Sequence, residues 1–466
     1  MAISSTGVGS GLDVKGIVSQ LVAIEKQPLQ QLQTKAATFQ TQLSLYGKVK
    51  SQVSALGDAA ALLAGASGWN AQKASSSNSA AVSVTVGSTA ATAALSVEVG
   101  QLARAQSTAS LGLAAGVAAG ASGSLNIELG SWSEDAIPVF TPGTSVAVAI
   151  DAADTVSTIA GKINAANAGV TATVLRDGTS ERLVLRSNTT GAAAGFRVNT
   201  PADPGLAALG FTNPSNGVGF VGQTALNAEV KINGVDVVSA TNKMVDVIPG
   251  VTLQLAQTTT APLEIAVEND LDAVQKNIQA FVDAYNALNQ TLADATKYTP
   301  ATKTGGPLQG DATTVGLQNA LRAMLGSSSV GSTFGRLSDV GIERQTDGSL
   351  KINATKLTSA QQDLPNLKNL FATNNSDVTT NGFGLKVRDF ARGLIAFDGL
   401  VTNKSTALQG SISRNSKDQD RVTDRAARVE AQLFKQYSAL DAQMAQMNAL
   451  SSYVTAQLAV WNKSTS

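Results

Sequence analysis

Along residues 421–461 apolar side chains recur at steps that mostly alternate three and four: Val422, Ala426, Val429, Leu433, Tyr437, Leu440, Met444, Met447, Val454, Leu458 and Trp461. This is the spacing of a coiled-coil seam rather than a broad core-facing stripe. The step from Leu433 to Tyr437 adds a second four in succession, a stutter that locally unwinds a supercoil. With no Pro or Gly after Arg421, the pattern predicts one helix of about 40 residues, roughly 60 Å long. A single narrow seam does not offset the entropy of ordering so long a segment. The helix therefore needs a partner. Periodicity leaves two open: the chain's own body, or the same seam in other copies.

The N-terminal end carries a related pattern. Ser4–Gly11 is small, polar and Gly-rich, and is expected to be disordered before assembly. Asp13 is a good N-cap, Leu12 can staple onto Ile17, and Val14, Ile17, Val18, Leu21 and Ile24 form an apolar face. Pro28 predicts a kink or restart. Beyond it Leu29, Leu32, Ala36, Phe39, Leu43, Tyr46, Lys50 and Val53 keep the seam, joined by a second stripe of Leu45, Val49, Leu56 and Leu63. A seam that widens predicts a coiled coil entering a helical bundle, with Lys50 as a snorkelling stem or register device.

After Gly68 the period changes to two. Val82–Val86, Leu95–Val99, Leu125–Leu129, Val146–Ile150, Val170–Leu175, Arg182–Leu185, Val251–Leu255 and Leu263–Val267 read as half-buried strands. Asp177-Gly178 and Asn233-Gly234 read as hairpin turns, and residues 156–166 as a helix between strands. Leu111–Gly123 reads as an Ala/Gly connector, and Phe196–Phe220 as an exposed loop or domain border. Helical spacing returns after Asn269 as a cap (Leu271, Val274, Ile278, Phe281, Tyr285, Leu288, Leu292) and from Asp311 through Leu317, Leu321 and Met324. A small hairpin at Asp347-Gly348 and a short helix after Asn353 follow; Leu385, Phe390, Leu394 and Phe397 resume the pattern, which breaks at Gly399.

The order helices, strands, helices predicts an α+β multidomain chain folded back on itself. Its N- and C-terminal helices form a coiled-coil leg (1–38 with 430–466) and a helical bundle (39–70 with 269–429). Two β-rich head domains are inserted in the middle, 71–110 with 222–268 and 111–221.

Composition narrows the chemistry. Acidic and basic residues balance at 34 each, so no net field draws the chain to nucleic acid or an anionic membrane. The chain has no Cys and no His, which removes disulfides, thiolate nucleophiles, His-ligated zinc and any triad with a His base. Met1–Gly11 lacks the basic and apolar runs of a cleaved secretory signal, and no apolar run is long enough to span a membrane. Taken alone this reads as cytosolic, although export without a cleaved signal escapes the test. Asp135, Asp151, Asp154 and Asp177 are candidate acids for a carboxylate-paired hydrolase, but turns, caps and strand ends explain each of them. The Gly7–Gly11 run has no preceding strand and lacks phosphate-loop spacing. No catalytic, cofactor or metal site is expected.

Both ends also carry longer signatures. S-G-L-D-V-K-G-I-V-S-Q-L-V-A-I-E-K-Q-P-L (Ser10–Leu29) resembles the N-terminal signature of the bacterial flagellar filament cap family, hook-associated protein 2. F-K-Q-Y-S-A-L-D-A-Q-M-A-Q-M-N-A-L-S-S-Y-V (Phe434–Val454) is similar to that family's C-terminal signature. N-A-Q-K-A-S-S-S-N (Asn70–Asn78), G-D-A-T-T-V (Gly310–Val315) and L-S-D-V-G-I (Leu337–Ile342) also match, and Val146–Gly191 resembles the β-α-β-β insertion motif of flagellins and this family.

The resemblance implies a structural protein secreted through the flagellar export apparatus to the distal tip of the flagellum. There it would form a homo-oligomeric ring under which flagellin folds and inserts. It implies that Ile17, Leu21, Ile24, Leu29 and Leu32, with Leu433, Tyr437, Leu440, Met444, Met447, Val454 and Leu458, form the legs' interface with the filament and neighbouring copies. Other implied partners are a hook–filament junction protein and a cytosolic export chaperone; nucleic acid and membrane insertion are not expected. A tip adhesin binding a host surface or mucin is an alternative; flagellin itself or the junction protein fits the closing signature less well.

Overall fold

The computed structural model describes residues 13–135, 137–200, 204–214 and 220–464. Ser4–Gly11 and the Leu12 staple lie outside them. The helices are α1 (Val14–Glu25), α2 (Gln27–Ala64), α3 (Val156–Ala165), α4 (Leu271–Thr296), α5 (Ala312–Leu325), α6 (Ala354–Gln361), α7 (Leu364–Ala372), α8 (Phe383–Ile395) and α9 (Leu400–Ser464). The architecture is α+β, with helical ends around a strand-rich middle. It divides into two compact units: the described residues of Met1–Trp69 with Asp272–Ser466, and those of Asn70–Leu271.

In the helical unit, α2 restarts where expected, with Pro28 in its first turn, where a missing N–H costs no intrahelical bond. Tyr46, Val49, Val53, Leu56, Ala60 and Leu63 are its fully buried stripe. They share one core with Phe281 and Leu288 of α4, Leu321 of α5 and Phe383 of α8. Lys50 is exposed. The widening seam swings onto Val49 and carries Lys50 outward, so it is neither a seam residue nor a register device.

Periodicity misses α7, which is too short for a repeat. Asp363 caps it and Pro365 sits in its first turn, and the helix adds Leu367, Leu370 and Phe371 to the core. Phe371 lies 5.7 Å from Trp69 and 6.1 Å, edge-on, from Phe281.

The C-terminal helix is longer than its apolar seam. It spans 65 residues from Leu400, about 100 Å, rather than starting at Arg421. Gly410 is carried inside it, since one Gly in a helix interior costs only about 1 kcal/mol against Ala. Gly399 does mark the break: a Cβ there would sit 2.4 Å from the Leu394 carbonyl oxygen.

The second unit holds two cores. In the first, Gln72–Ser76, Leu263–Asn269, Ala93–Gln101, Ala228–Ile232 and Val235–Ser239 form an antiparallel sheet in that order, and Lys243–Ile248, Val251–Leu255 and Val82–Val86 form another. Val82, Val97, Val99, Val230, Leu253 and Ile265 fill the space they share. Asn233 and Gly234 both take positive φ, the type I′ geometry expected of that pair. Asn269 is not a helix cap; it ends its strand and accepts a 2.9 Å hydrogen bond from the Gln72 amide.

The other core lies between the sheet Gly195–Asn199, Gly123–Trp132, Phe140–Ile150 and the strands paired around Ser180–Ser187, with α3 packed on it. Asp177 pairs with Ser180, so the turn residues are Gly178 and Thr179, one later than the sequence indicated. Gly178 at φ +62° supplies the positive first position of a type II′ turn.

Phe196–Phe220 is not simply an exposed loop. Phe196, Val198, Leu206, Leu209 and Phe211 are buried, because the strand Gly195–Asn199 pairs with Gly123–Trp132 and the following turn folds back over the same core. The Ala/Gly connector is partly tied down as well: Leu113–Ala114 pairs as a strand, and the Ala119 amide donates to the Asp154 carbonyl at 2.7 Å.

Candidate functional site

Sequence pattern places the functional surface on α9, and two charged contacts set how α9 lies against the N-terminal helices. Arg425 pairs with Glu25 at 3.1 Å. Lys404 pairs at 2.6 Å with Asp311, whose other oxygen accepts from the Tyr46 hydroxyl at 2.6 Å. Residue 425 thus lies by 25, and 404 at the level of 46, so α9 runs antiparallel to α1 and α2.

The second contact explains the G-D-A-T-T-V motif. Gly310 takes φ +75°, which turns the chain so that Asp311 caps α5 and accepts from the Thr314 amide at 2.9 Å. Burial alone would raise the Asp311 carboxyl, but Lys404, Tyr46 and Thr314 outweigh it and hold it at about 2. Burial and the same carboxylate push the Tyr46 phenol far above its ordinary value. One half-buried carboxylate therefore ties together α2, α5 and α9.

Between the two contacts the α9 seam carries a polar residue. Asn415 falls on the three-four spacing between Ile412 and Val422 and is 5% exposed; its side-chain oxygen accepts from the Gln419 amide at 2.6 Å. A buried seam Asn costs stability and favours one register. Asn415→Leu is expected to raise the helical unit's stability by about 0.5–2 kcal/mol, read from its urea midpoint by circular dichroism; a drop of that size would show that the Asn makes a contact worth more than apolar packing.

Further along, Val14, Val18 and Val22 of α1 bury against Ala426, flanked by Leu433, Phe434 and Tyr437. The buried face of α1 thus keeps Val14 and Val18 of the face read from sequence and completes it with Val22. Ile17 is half-buried, and Leu21 and Ile24 are exposed, Ile24 by 60%. Two apolar stripes overlap on α1, and only the position of α9 selects between them. Val22 was recoverable from its spacing to Val14 and Val18.

The remaining interface candidates divide in two. Leu29, Leu32, Leu433, Tyr437 and Met444 are partly covered. Leu440, Met447, Val454 and Leu458 are open, at 42%, 69%, 47% and 53% exposure, and Leu450 and Tyr453 join them at 63% and 62%. Every residue from Gln446 to Trp461 is exposed. This is a contiguous apolar helix end of the kind that marks an interaction surface.

Two of the candidate acids, Asp151 and Asp154, hold the turn into α3. Lys162 bridges Asp151 and Asp154, at 2.7 and 2.5 Å, and Asp154 also accepts from the Asp151 amide, closing the turn into α3. The Lys162 ammonium holds Asp154 below the usual carboxylate range. Among the described residues no group of three or more His, Cys, Asp or Glu is placed to hold a metal ion. None of their helices is long and apolar enough to cross a membrane.

Both ends of the chain match models of one family. "Flagellar hook-associated protein 2 N-terminus" covers residues 10–106, and "Flagellar hook-associated protein 2 C-terminus" covers 225–449. The chain belongs to the flagellar hook-associated protein 2 family. Between those matches the "Flagellin hook IN motif" spans 124–189, starting one strand earlier than the resemblance placed it. Flagellar hook-associated protein 2 of Escherichia coli K12 is 28% identical over 98% of both chains. The B-type protein of Pseudomonas aeruginosa PAO1 is 29% identical over 98% of both. The crystal structure of the flagellar cap protein FliD D1-D2-D3 domains from Escherichia coli superposes with a TM-score of 0.57 at 25% identity, covering 78% of this chain and 99% of that one.

Proposed function

We propose that this chain is a structural capping protein at the distal, extracellular tip of the bacterial flagellar filament, where copies form a ring that guides exported flagellin into place. The observation that carries the reading is the exposed apolar end of α9, beyond the reach of α1. Its action is steric, and no step needs a catalytic group or cofactor. Residues 1–38 with 430–466 act as the leg, 39–70 with 269–429 as its bundle, and the strand-rich domains as the plate. Flagellin and further copies are the working partners. A hook–filament junction protein precedes the first flagellin, and a cytosolic chaperone shields the α9 seam before export.

A seam that must release and re-dock as subunits add has to bind weakly at each leg. Leu440→Asp with Met447→Asp puts two charges on open seam positions without touching a buried core. The double variant is expected to lower retention on purified filament ends at least tenfold, measured by labelled-cap pelleting, with the strand-rich unit's melting unchanged. Unchanged retention would remove the α9 seam from the capping surface.

A further inference from the structure

The strand Val170–Asp177 pairs along its whole length with Ser180–Ser187, from Val170 opposite Ser187 to Asp177 opposite Ser180, and has no strand on its other side among the described residues. Asp177 and Ser180 close a two-residue hairpin, so they exchange both backbone hydrogen bonds. By the two-residue period Thr171, Thr173 and Leu175 also bond inward, while Ala172, Val174 and Arg176 turn their N–H and C=O groups outward. At Ala172 that outward pair is taken. The Ala172 amide donates to the Asn164 side-chain oxygen at 2.7 Å, and the Asn164 side-chain nitrogen donates to the Ala172 carbonyl at 2.8 Å. A side-chain amide carries its acceptor and donors in one plane, as a peptide group does, so Asn164 meets Ala172 as a residue of a neighbouring strand would. The outward backbone groups of Val174 and Arg176 take no partner among the described residues.

Other edges of the strand-rich unit are closed by different means. Phe140–Ile150 carries Pro142, which has no N–H to offer another strand. Lys243–Ile248 carries a bulge between Val245 and Ile248, with Asp246 at φ +59°. Val170–Asp177 has neither a Pro nor a shift of register, and its first six residues, V-T-A-T-V-L, hold no charge and no Gly. An uncharged, largely β-branched run on an uninterrupted edge is the pattern that pairs with copies of itself. Leu175, 54% exposed, adds apolar surface beside the open positions.

We propose that the outer edge of Val170–Asp177 is a latent self-pairing surface and that Asn164 holds it shut. The partner it fits is the same strand of a second copy, because the run carries no charge that selects another sequence or repels its own. With Asn164 seated on Ala172, an added strand is left only Val174 and Arg176, too short a ladder to persist. Asn164 lies in the last turn of α3, which packs on the core beneath the same strand, so its amide is presented from a fixed support. Asn164 thus acts by occupying hydrogen-bonding positions, and the device serves wherever copies of the chain are crowded together.

The test uses the full chain. Hydrogen exchange of the wild type is expected to show a protected Ala172 amide and fast exchange at Val174 and Arg176. Asn164→Leu keeps a good helix former in α3 and frees the edge. It should exchange quickly at Ala172 when dilute, self-associate roughly tenfold or more tightly than wild type by sedimentation velocity, and gain protection at Val174 and Arg176 in the associated form. Thr173→Lys, at an exposed position of the same strand, sets like charges together in a self-paired edge. Added to Asn164→Leu, it should restore the monomer without changing that variant's melting temperature. Asn164→Leu that stays as monomeric as wild type, with its circular dichroism unchanged, would overturn the proposal. So would association that Thr173→Lys leaves in place, or that brings no protection to Val174 and Arg176, since that is aggregation through another surface. Wild-type exchange as slow at Val174 as at Ala172 would show the edge already covered, and would overturn it without any variant.

Discussion

Removing Leu433–Ser466 is expected to abolish capping while leaving the melting of the rest of the chain nearly unchanged. The large helical core takes its last α9 side chain from Leu408, and neither strand-rich core uses α9 at all. What the deletion strips is the partial cover that Leu433, Phe434 and Tyr437 give to the Val14–Val22 line, together with the whole exposed seam. Each open Leu, Met or Val yields about 1.5–3 kcal/mol when a partner buries it, so losing several in a row removes most of what can seat the helix end. Cells carrying only the shortened chain should release flagellin into the medium and build no filaments by electron microscopy, while calorimetry of the purified chain shows its main transitions in place. Normal filaments on such cells would show that the seam is not where the cap is seated.

Asp311→Ala carries the second large effect, and here it falls on stability. The change removes an N-cap, at about 0.5–2 kcal/mol, and leaves the buried Tyr46 hydroxyl and Lys404 without their shared acceptor, at about 1–3 kcal/mol more. Together these should lower the helical unit's midpoint by roughly 3–20 °C in a thermal scan. The pH dependence separates this from a simple packing defect. The folded carboxyl sits at about 2, below its ordinary 3.8, so the folded state gives up that proton more readily than the unfolded chain does. Its stabilisation is therefore complete above about pH 4 and is lost as pH falls through about 2. Wild-type chain should lose stability over that window, and Asp311→Asn should flatten the loss. An equally steep acid loss in Asp311→Asn would assign it to other carboxylates.

Local rules read well wherever one local rule decided the outcome. Pro28 at a helix start, Gly399 at a break, Asn233-Gly234 in a type I′ turn and Asp311 at the start of a helix each follow from a backbone constraint on one or two residues. Reading failed where two local signals competed. α1 offers two apolar stripes, Lys50 stands where one seam crosses another, and Phe196–Phe211 carries core side chains inside loop-like composition. The α7 helix is too short to show a period and is absent from the sequence-based reading, although Asp363 and Pro365 mark its start.

What the amino-acid order settles alone is the sequence of element types, the long C-terminal seam and the exclusion of His and Cys chemistry. Each depends only on residue identity and spacing. The tertiary structure decided which side of each amphipathic helix is buried, that Asn415 sits inside a seam, and that the seam beyond Gln446 is left open. Those outcomes depend on where a neighbouring helix lies and how far it reaches, and contacts between residues hundreds of positions apart set that. Periodicity identifies an apolar stripe but not the surface that covers it.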